Sequence, residues 1–416
     1  MSRRLLKDEA YRCFVYLMDH TNFDESSKGY GLTLDRHSNK NMASISASGF
    51  MLTALVIGSE RGWMNKEDAK KRALLTIKNF YLNIPHYEGL LIHFANFKDG
   101  TRYKACEYST ADTMLFVNGM LTADAYFNDV EIHDYSMKLF NRINFPSFTK
   151  IYNDKLVFKM AYNDIKDGDY RHGNSDGWIY QWHMYAEQLC LYFQAAASDL
   201  ISKEDAKKLY YGFERNIATY HNYSYVFTPG GTLFTYQYSH AWLDFMHLDD
   251  ETGFNWFKNS QQAIKAAQHF CSNDKNFKTF NSYSWGVSAC DGPHGYRGYG
   301  LPPYGDGKTK SEEIHYDGTV ALYAIISSLP FNPSIVSTSL DTLESKHPAL
   351  YQDYGFVDSF NFEDGEWIDD DYISIDKGIS LIMIDNYFYK TTWKFYNQHP
   401  LILKAIDKLD FKWKKW

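Results

Sequence analysis

The feature that most constrains this chain is an alternation between two kinds of helical segment. Stretches such as ASISASGFMLTALVIGS (43–59) and DGTVALYAIISSL (317–329) are built from small and apolar residues and are nearly free of charge. Others, such as NKEDAKKRALLTIKNFYL (65–82), carry charge along one face. A helix apolar all round must be covered on every side, whereas an amphipathic one covers with one face and meets water with the other. The alternation predicts two concentric layers of helical hairpins, either closed into a ring or stacked as an α-solenoid. The hexapeptide KEDAKK recurs at 66–71 and 203–208, each time after an apolar helix. Asn65 and Ser202 are the expected N-caps, with acids in the first turn favoured by the helix dipole. No repeat of strict period accompanies it, which favours the ring.

Helices are expected near 5–20, 43–60, 65–82, 110–127, 131–143, 177–198, 202–219, 235–247, 256–273, 318–328, 333–346, 377–386 and 399–410. About twelve core helices fit a ring of about six hairpins. KLVFKMAY (155–162) reads as a short strand. No linker divides residues 1–416, so a single all-α domain is expected. The loop-rich parts are 146–176 and 275–317, and the second belongs over one end of the ring. Its GDGKT (305–309) has the look of a phosphate loop, but Pro302 stands where such a loop needs glycine and Pro303 has no amide to offer.

Net charge −8 and pI near 6 leave no basic footprint for nucleic acid. No apolar run reaches the roughly 18 residues of a membrane span. The opening MSRRLLKDEAYRCF meets Asp8 and Glu9 before any apolar run, so no signal peptide is read and a cytoplasmic protein is the expectation. A trimmed secreted or periplasmic protein would look the same. The 5 cysteines form no CxxC pair, and Cys13, Cys190 and Cys271 fall in expected helices, which argues for buried thiols. Aromatic content is high at 18%. Aromatic faces suit sugar rings as well as protein cores.

IYQWHMYAEQLCLYF (179–193) holds one carboxylate, Glu187, and no other formal charge lies between Asp176 and Asp199. On a helix its face would contain Tyr180, His183, Met184, Cys190, Leu191 and Gln194, which is no solvent face. Glu187 is then either a buried acid tied to a neighbouring helix or a carboxyl in an aromatic-lined cavity. Desolvation in such a cavity would keep it protonated near neutrality, the property of a general acid.

Other acids sit at expected helix starts. Ser109 and Asp112 have the spacing of a capping box. Asp376 and Asp317 precede apolar helices and read as N-caps, and Asp291 in SACDGP reads as a turn residue. If the buried helices start at one end of the ring, such acids converge there, lowered in pKa by the helix dipole and able to act as bases. A high-pKa acid opposite low-pKa carboxylates is the arrangement for glycosidic bond cleavage. No G-x-S-x-G elbow occurs. His93, His183, His240 and His315 lack ligand spacing and there is no HExxH, so neither metal nor cofactor is expected.

Together, GSERGWMNKEDA (58–69), STADTMLFVNGMLTADAYF (109–127), YAEQL (185–189), YQYSHAWLDF (236–245), SWGVSACDGPHGY (284–296), DGTVALYAIISSLPFNP (317–333), YGFVDSFN (354–361) and YISIDKGISLIMIDN (372–386) form an ordered set. It resembles the bacterial glucoamylase-like glycoside hydrolase family that includes the β-1,2-glucanases. The resemblance spans roughly residues 43–390. It implies an (α/α)6 toroid with a cleft at one end and metal-free, inverting hydrolysis of β-1,2-linked glucan to sophorose or longer oligosaccharides. It places the proton donor on Glu187 and further acids on Asp376 and Asp112. Ala111 replaces a larger aliphatic residue, and DKGIS replaces a more usual Asp-Gln-Gly-Pro, which sets Lys377 beside Asp376.

The expected reaction has Glu187 protonating the leaving oxygen while Asp376 or Asp112 deprotonates water, the carboxyls standing about 6.5–9.5 Å apart. Candidates for substrate contacts are Arg61, His93, Trp182, Tyr236, Gln237, His240, Trp242, Trp285 and Tyr296. A transglycosylase or phosphorylase on the same scaffold, or a non-catalytic glucan-binding protein, are the alternatives. The expected partner is a β-linked glucan, not nucleic acid or membrane; whether the protein is a monomer stays open.

Overall fold

The computed structural model describes residues 2–171, 176–301 and 314–414. Its principal helices are α1 (Ser2–Asp19), α2 (Ile45–Glu60), α3 (Lys66–Asn83), α4 (Thr110–Phe127), α5 (Val130–Arg142), α6 (Leu189–Ala197) and α7 (Lys203–Tyr210). They continue with α8 (Tyr238–Trp242), α9 (Trp256–Asn273), α10 (Leu322–Ile326), α11 (Pro333–Lys346), α12 (Ser374–Phe388), α13 (Thr391–Gln398) and α14 (Pro400–Lys408).

The even-numbered helices α2 to α12 form the inner layer. Helix α2 packs on α4, α4 on α6, α6 on α8, and α12 on α2, α8 and α10. The α8–α10 contact is closed by Gln237, whose Nε2 donates to Ala324 O at 2.8 Å and Ser328 Oγ at 2.9 Å. Outside them, α1 lies on α12, α3 on α2, α5 on α3 and α4, α7 on α6, and α11 on α10. This is the (α/α)6 toroid expected from the alternation. Helix α2 shows the reason, being buried on all faces from Ile45 to Gly58. Its approach to α4 needs glycine, since a Cβ on Gly119 would stand 1.9 Å from Gly49 O. Asn65 and Ser202 cap α3 and α7 as expected. The 5 cysteines are free and buried.

Helix α13 closes one end of the ring. Trp393 Nε1 and Asn397 Nδ2 donate to the carbonyls of His240 and Trp242, each at 2.7 Å. Sequence periodicity does not separate α13 from its neighbours. The opposite end, where the inner helices begin, carries short strands and loops.

Several expected helices are shorter than their sequence pattern. The segment 177–198 divides into the strand Trp178–Gln181 and α6, because Trp178, Ile179 and Tyr180 suit a pleated edge and pair with Lys155–Tyr162. Residues 202–219 stop at Tyr210 and give the hairpin Ile217–Tyr220 and Tyr223–Val226. The pattern at 235–247 contracts to α8 behind a single turn at Leu233–Tyr236. The pattern at 318–328 contracts to α10 behind Val320–Ala321, which pairs with Ser359–Asn361. The expected strand at 155–162 is present as Lys155–Tyr162. The hairpin Cys290–Gly292 and Gly295–Arg297 stands over the open end, whereas GDGKT with Pro302 and Pro303 lies outside the described residues.

Candidate active site

The first turns of the inner helices meet at the open end, and the acids expected there divide by environment. In α4, Ser109 Oγ accepts the Asp112 amide at 3.3 Å, so the Ser109 half of the capping box forms. The Asp112 carboxylate turns instead to the Ser46 hydroxyl, in the first turn of α2, and stands 3.6 Å from His93 Nε2. His93 Nδ1 meets Glu107 Oε1 at 2.8 Å. Burial works against the His93 charge, but Asp112 and Glu107 outweigh it and push its pKa up to about 9. His93 is therefore a cation fixed between two acids at neutral pH.

Glu187 is not within a helix, contrary to the expected 177–198 helix. It lies in the turn that leads into α6, half-buried. The turn is braced by Ser239 Oγ donating to Glu187 O at 2.6 Å and by Gln188 Oε1 accepting the Ala186 amide at 2.8 Å. Burial pushes the Glu187 pKa up to about 7; its own backbone amide pulls the other way and the Asp112 charge adds to the rise. No cation figures among these influences, and among the described residues the carboxyl makes no ion pair.

Asp376 occupies the first turn of α12 and accepts a hydrogen bond from Tyr238 Oη at 3.4 Å. Its expected low pKa is overturned. Burial, then the charge of and hydrogen bond with Asp358, hold it well above the usual carboxylate range, because desolvation outweighs the helix terminus. Asp358 is raised too, chiefly by burial. Sequence reasoning missed Asp358, although an acid inside the apolar run FVDSF carries the same signal that singled out Glu187.

A second group is built around Arg36, also missed from sequence. Its guanidinium lies 3.3 Å from Asp35 Oδ2, 2.7 Å from Asp291 Oδ2 and 3.7 Å from Asp371 Oδ2. Asp291 is thus an ion-pair partner on a hairpin strand and not merely a turn residue. Asp369 behind it is pushed up to about 7 by burial and by Asp291 and Asp371. Asp317 caps no helix; it accepts the Thr319 amide at 3.0 Å and the Tyr299 hydroxyl at 3.1 Å.

Among the expected substrate contacts, His93 and Tyr296 reach this end. Tyr296 is 53% exposed, with Arg36 5.8 Å from its ring centroid. Its hydroxyl end is enclosed, and burial and the Asp376 charge push its pKa up. Trp182 is buried and donates to Thr110 Oγ1 at 2.9 Å, so it positions the start of α4 and offers no free face.

The other expected contacts are corrected. Tyr236, Gln237, His240, Trp242 and Trp285 are buried at 3% exposure or less. Tyr236 Oη accepts the Thr228 amide at 2.8 Å. His240 Nε2 meets Ser260 Oγ at 2.9 Å, and burial drops its pKa to about 3. The indoles of Trp242 and Trp285 donate to Thr53 at 3.1 Å and Ser339 at 2.9 Å. Each polar edge is spent inside the protein, as buried aromatics require. Arg61 follows the C-terminus of α2, about 20 Å along the helix from Ser46. It sits 3.7 Å from Asp385 and over the Tyr389 ring at 3.8 Å. Lys377 Nζ, expected beside Asp376, pairs with Glu9 Oε1 at 3.1 Å. Among the described residues, no group of three or more His, Cys, Asp or Glu side chains is placed to hold a metal ion.

The Glycoamylase family model, of glucoamylase type, matches residues 179–400. A curated relative from Parabacteroides distasonis, an exo β-1,2-glucooligosaccharide sophorohydrolase, is 25% identical over 89% of this chain. The chain spans 53% of that relative's length. The endo-β-1,2-glucanase of Chitinophaga pinensis, solved with sophorotriose and glucose, superposes with a TM-score of 0.83 at 20% identity, covering 99% of each chain. The β-1,2-glucanase of Parabacteroides distasonis superposes with a TM-score of 0.81 at 21% identity, over 98% of this chain and 60% of that one. These superpositions show the toroidal fold.

Proposed function

This chain belongs to the Glycoamylase family of glucoamylase-like proteins, and from that premise we propose that it is a glycoside hydrolase cleaving β-1,2-linked glucan or sophoro-oligosaccharides. The relatives that act on such chains support the substrate class. The observation that carries the chemistry is Glu187, an acid with no counter-ion among the described residues, whose pKa of about 7 lets it hold a proton at neutrality.

In this reading Glu187 protonates the glycosidic oxygen as the bond breaks. A carboxylate opposite takes a proton from water, directly or through a sugar hydroxyl. Helices α6 and α12 stand three places apart in the inner ring, whereas α4, which carries Asp112, packs on α6. An inverting reaction needs room for a sugar and a water between its two carboxyls, which favours Asp376, on the more distant helix, over Asp112 as the base. Asp112, next to Glu187, helps keep the acid protonated. The Tyr238 hydroxyl donates to Asp376 at 3.4 Å, and the charges of both Asp376 and Glu187 act on it. Tyr296 and Arg36 supply an aromatic face and a cation at the rim for sugar binding.

Chromatography of products from linear β-1,2-glucan, against cellulose, laminarin and starch, tests the proposal. Sophorose or longer β-1,2-oligosaccharides should appear from the first substrate only. Longer products than the input, or dependence on phosphate, would replace hydrolysis by glycosyl transfer.

A further inference from the structure

Behind the Asp376 carboxyl lies a buried chain of charge that the hydrolytic reading does not use. Asp358 and Asp376 adjoin and each acts on the other's ionisation, and Asp358 Oδ2 is buried with no hydrogen-bond partner among the described residues. Both line a cavity of about 10 Å³, together with Lys377, Glu9, Ser380 and Tyr323. That volume suits about one water molecule. Lys377 Nζ donates to Phe356 O at 2.6 Å and Tyr354 O at 2.8 Å and pairs with Glu9 Oε1 at 3.1 Å. Glu9 Oε2 accepts the Phe356 amide at 2.8 Å. Glu9 belongs to α1, in the outer layer, so an outer helix reaches through to the back of the site.

We propose that Asp358 and Asp376 act as one carboxyl pair sharing a single proton, and that Lys377, held in place by Glu9, is the counter-cation that maintains the pair's one negative charge. Two adjoining buried carboxyls cannot both ionise, and the pair then titrates as a unit. The single negative charge is what a base needs before it accepts a proton from water. The groups facing the pair are Tyr238 from α8, Tyr323 from α10, Tyr296, Cys290 and Asp291 from the covering hairpin, and Asp369 and Asp35 from neighbouring loops. Among them and Lys377, Lys377 is the cation. Every acid in the set opposes ionisation of the pair, and Lys377 favours it. Lys377 and Glu9 act on the reaction only through the pair; they are positioning residues.

The inference rests on the proposed hydrolysis for its role but is tested apart from it. The infrared carbonyl band of protonated carboxyls is titrated in the full chain, and the pair's share is the part lost in the Asp358→Asn/Asp376→Asn variant. In Glu9→Gln/Lys377→Met, which removes both charges, the midpoint should rise by about one pH unit. In Glu9→Gln alone, the ammonium stays held by two carbonyls with no counter-ion, and the midpoint should fall. Equal midpoints in all three proteins, or a rise in Glu9→Gln, overturn the inference; if the double variant does not fold, Glu9→Gln alone decides. Where β-1,2-glucan is cleaved, the acid limb of kcat/KM should move in the same directions, and a merely structural pair would change thermal stability without moving it. A wild-type protein inactive on β-1,2-glucan would sink the hydrolytic reading and leave the infrared titration to decide this one.

Discussion

Glu187 in the turn before α6 and Asp112 in the first turn of α4 are neighbours on the inner ring, and the charge of Asp112 adds to the burial that holds the Glu187 proton. One acid is poised to donate, and the other turns to Ser46 and a cationic His93.

Glu187→Gln should lower kcat by about 10³-fold while leaving affinity for sophoro-oligosaccharides within about 3-fold, since a general acid contributes on the order of 10²–10⁴. Hydrolysis assays with calorimetric binding check it, and full activity in the variant ends the assignment. In the wild type the alkaline limb of kcat should fall near pH 7, where Glu187 loses its proton. Asp112→Asn should move that limb to lower pH by removing a like charge.

The same carboxyl makes a stability prediction. Its folded pKa of about 7 exceeds the ordinary 4.5, so the folded state binds more protons between those values and stability falls as pH rises through them. Glu187→Gln removes that cost. Thermal unfolding should show the variant more stable than wild type above pH 7, by about 1–2 kcal/mol after allowing for partial exposure, and no advantage below pH 4.5.

His93 should show the same direction of pH dependence, but through a stabilising charge and not a costly one. Its folded pKa of about 9 exceeds the ordinary 6.5, so its contribution is fully present below 6.5 and disappears as pH rises through 9. Thermal melts of wild type and His93→Gln at about pH 6 and pH 9.5 should show the gap between them narrowing at the higher value. A gap independent of pH would mean that His93 is held by packing alone.

Tyr296 and Arg61 should separate a rim contact from a distant one. Tyr296→Ala is expected to raise KM by about 5–10-fold with kcat little changed, as loss of one stacked aromatic face costs on the order of 1 kcal/mol. Arg61→Ala should leave KM and kcat alone and lower the melting temperature, because Arg61 is engaged with Asp385 and Tyr389 at the far end of α2. An Arg61 variant with altered KM would reverse this placement.

The inter-helix glycines predict a packing failure. Gly119→Ala places a methyl 1.9 Å from Gly49 O, against backbone that has no rotamer to yield. A loss of about 3 kcal/mol or more, read by denaturant unfolding, is expected.

Much of the ring was legible because its cause is local. Charge-free and one-sided helices announce which faces must be covered, and α2, α3, α4, α5, α9 and α11 lie close to where their periodicity puts them. Periodicity failed where aromatic residues ran without charges. WIYQWHMYAEQL offers no polar beat to tell a strand from a helix, and pairing with Lys155–Tyr162 decided the matter. The site was legible in part for the same reason. A lone acid in an apolar run points to burial, which identifies Glu187, and would have identified Asp358. Aromatic richness pointed to sugar contacts, but Trp242, Trp285 and His240 spend their polar edges on neighbouring helices and Tyr236 spends its own on a loop.

The sequence by itself determined the two-layered helical ring, the caps at Asn65 and Ser202, and the burial of Glu187, because each follows from residues near one another in the chain. Only the tertiary structure decided that Asp376 is raised and not lowered, that Asp358 adjoins it, that Arg36 gathers Asp35, Asp291 and Asp371, and that Glu9 reaches Lys377. A carboxyl's charge depends on what surrounds it within a few ångströms, and those neighbours come from helices and loops that the chain order keeps far apart.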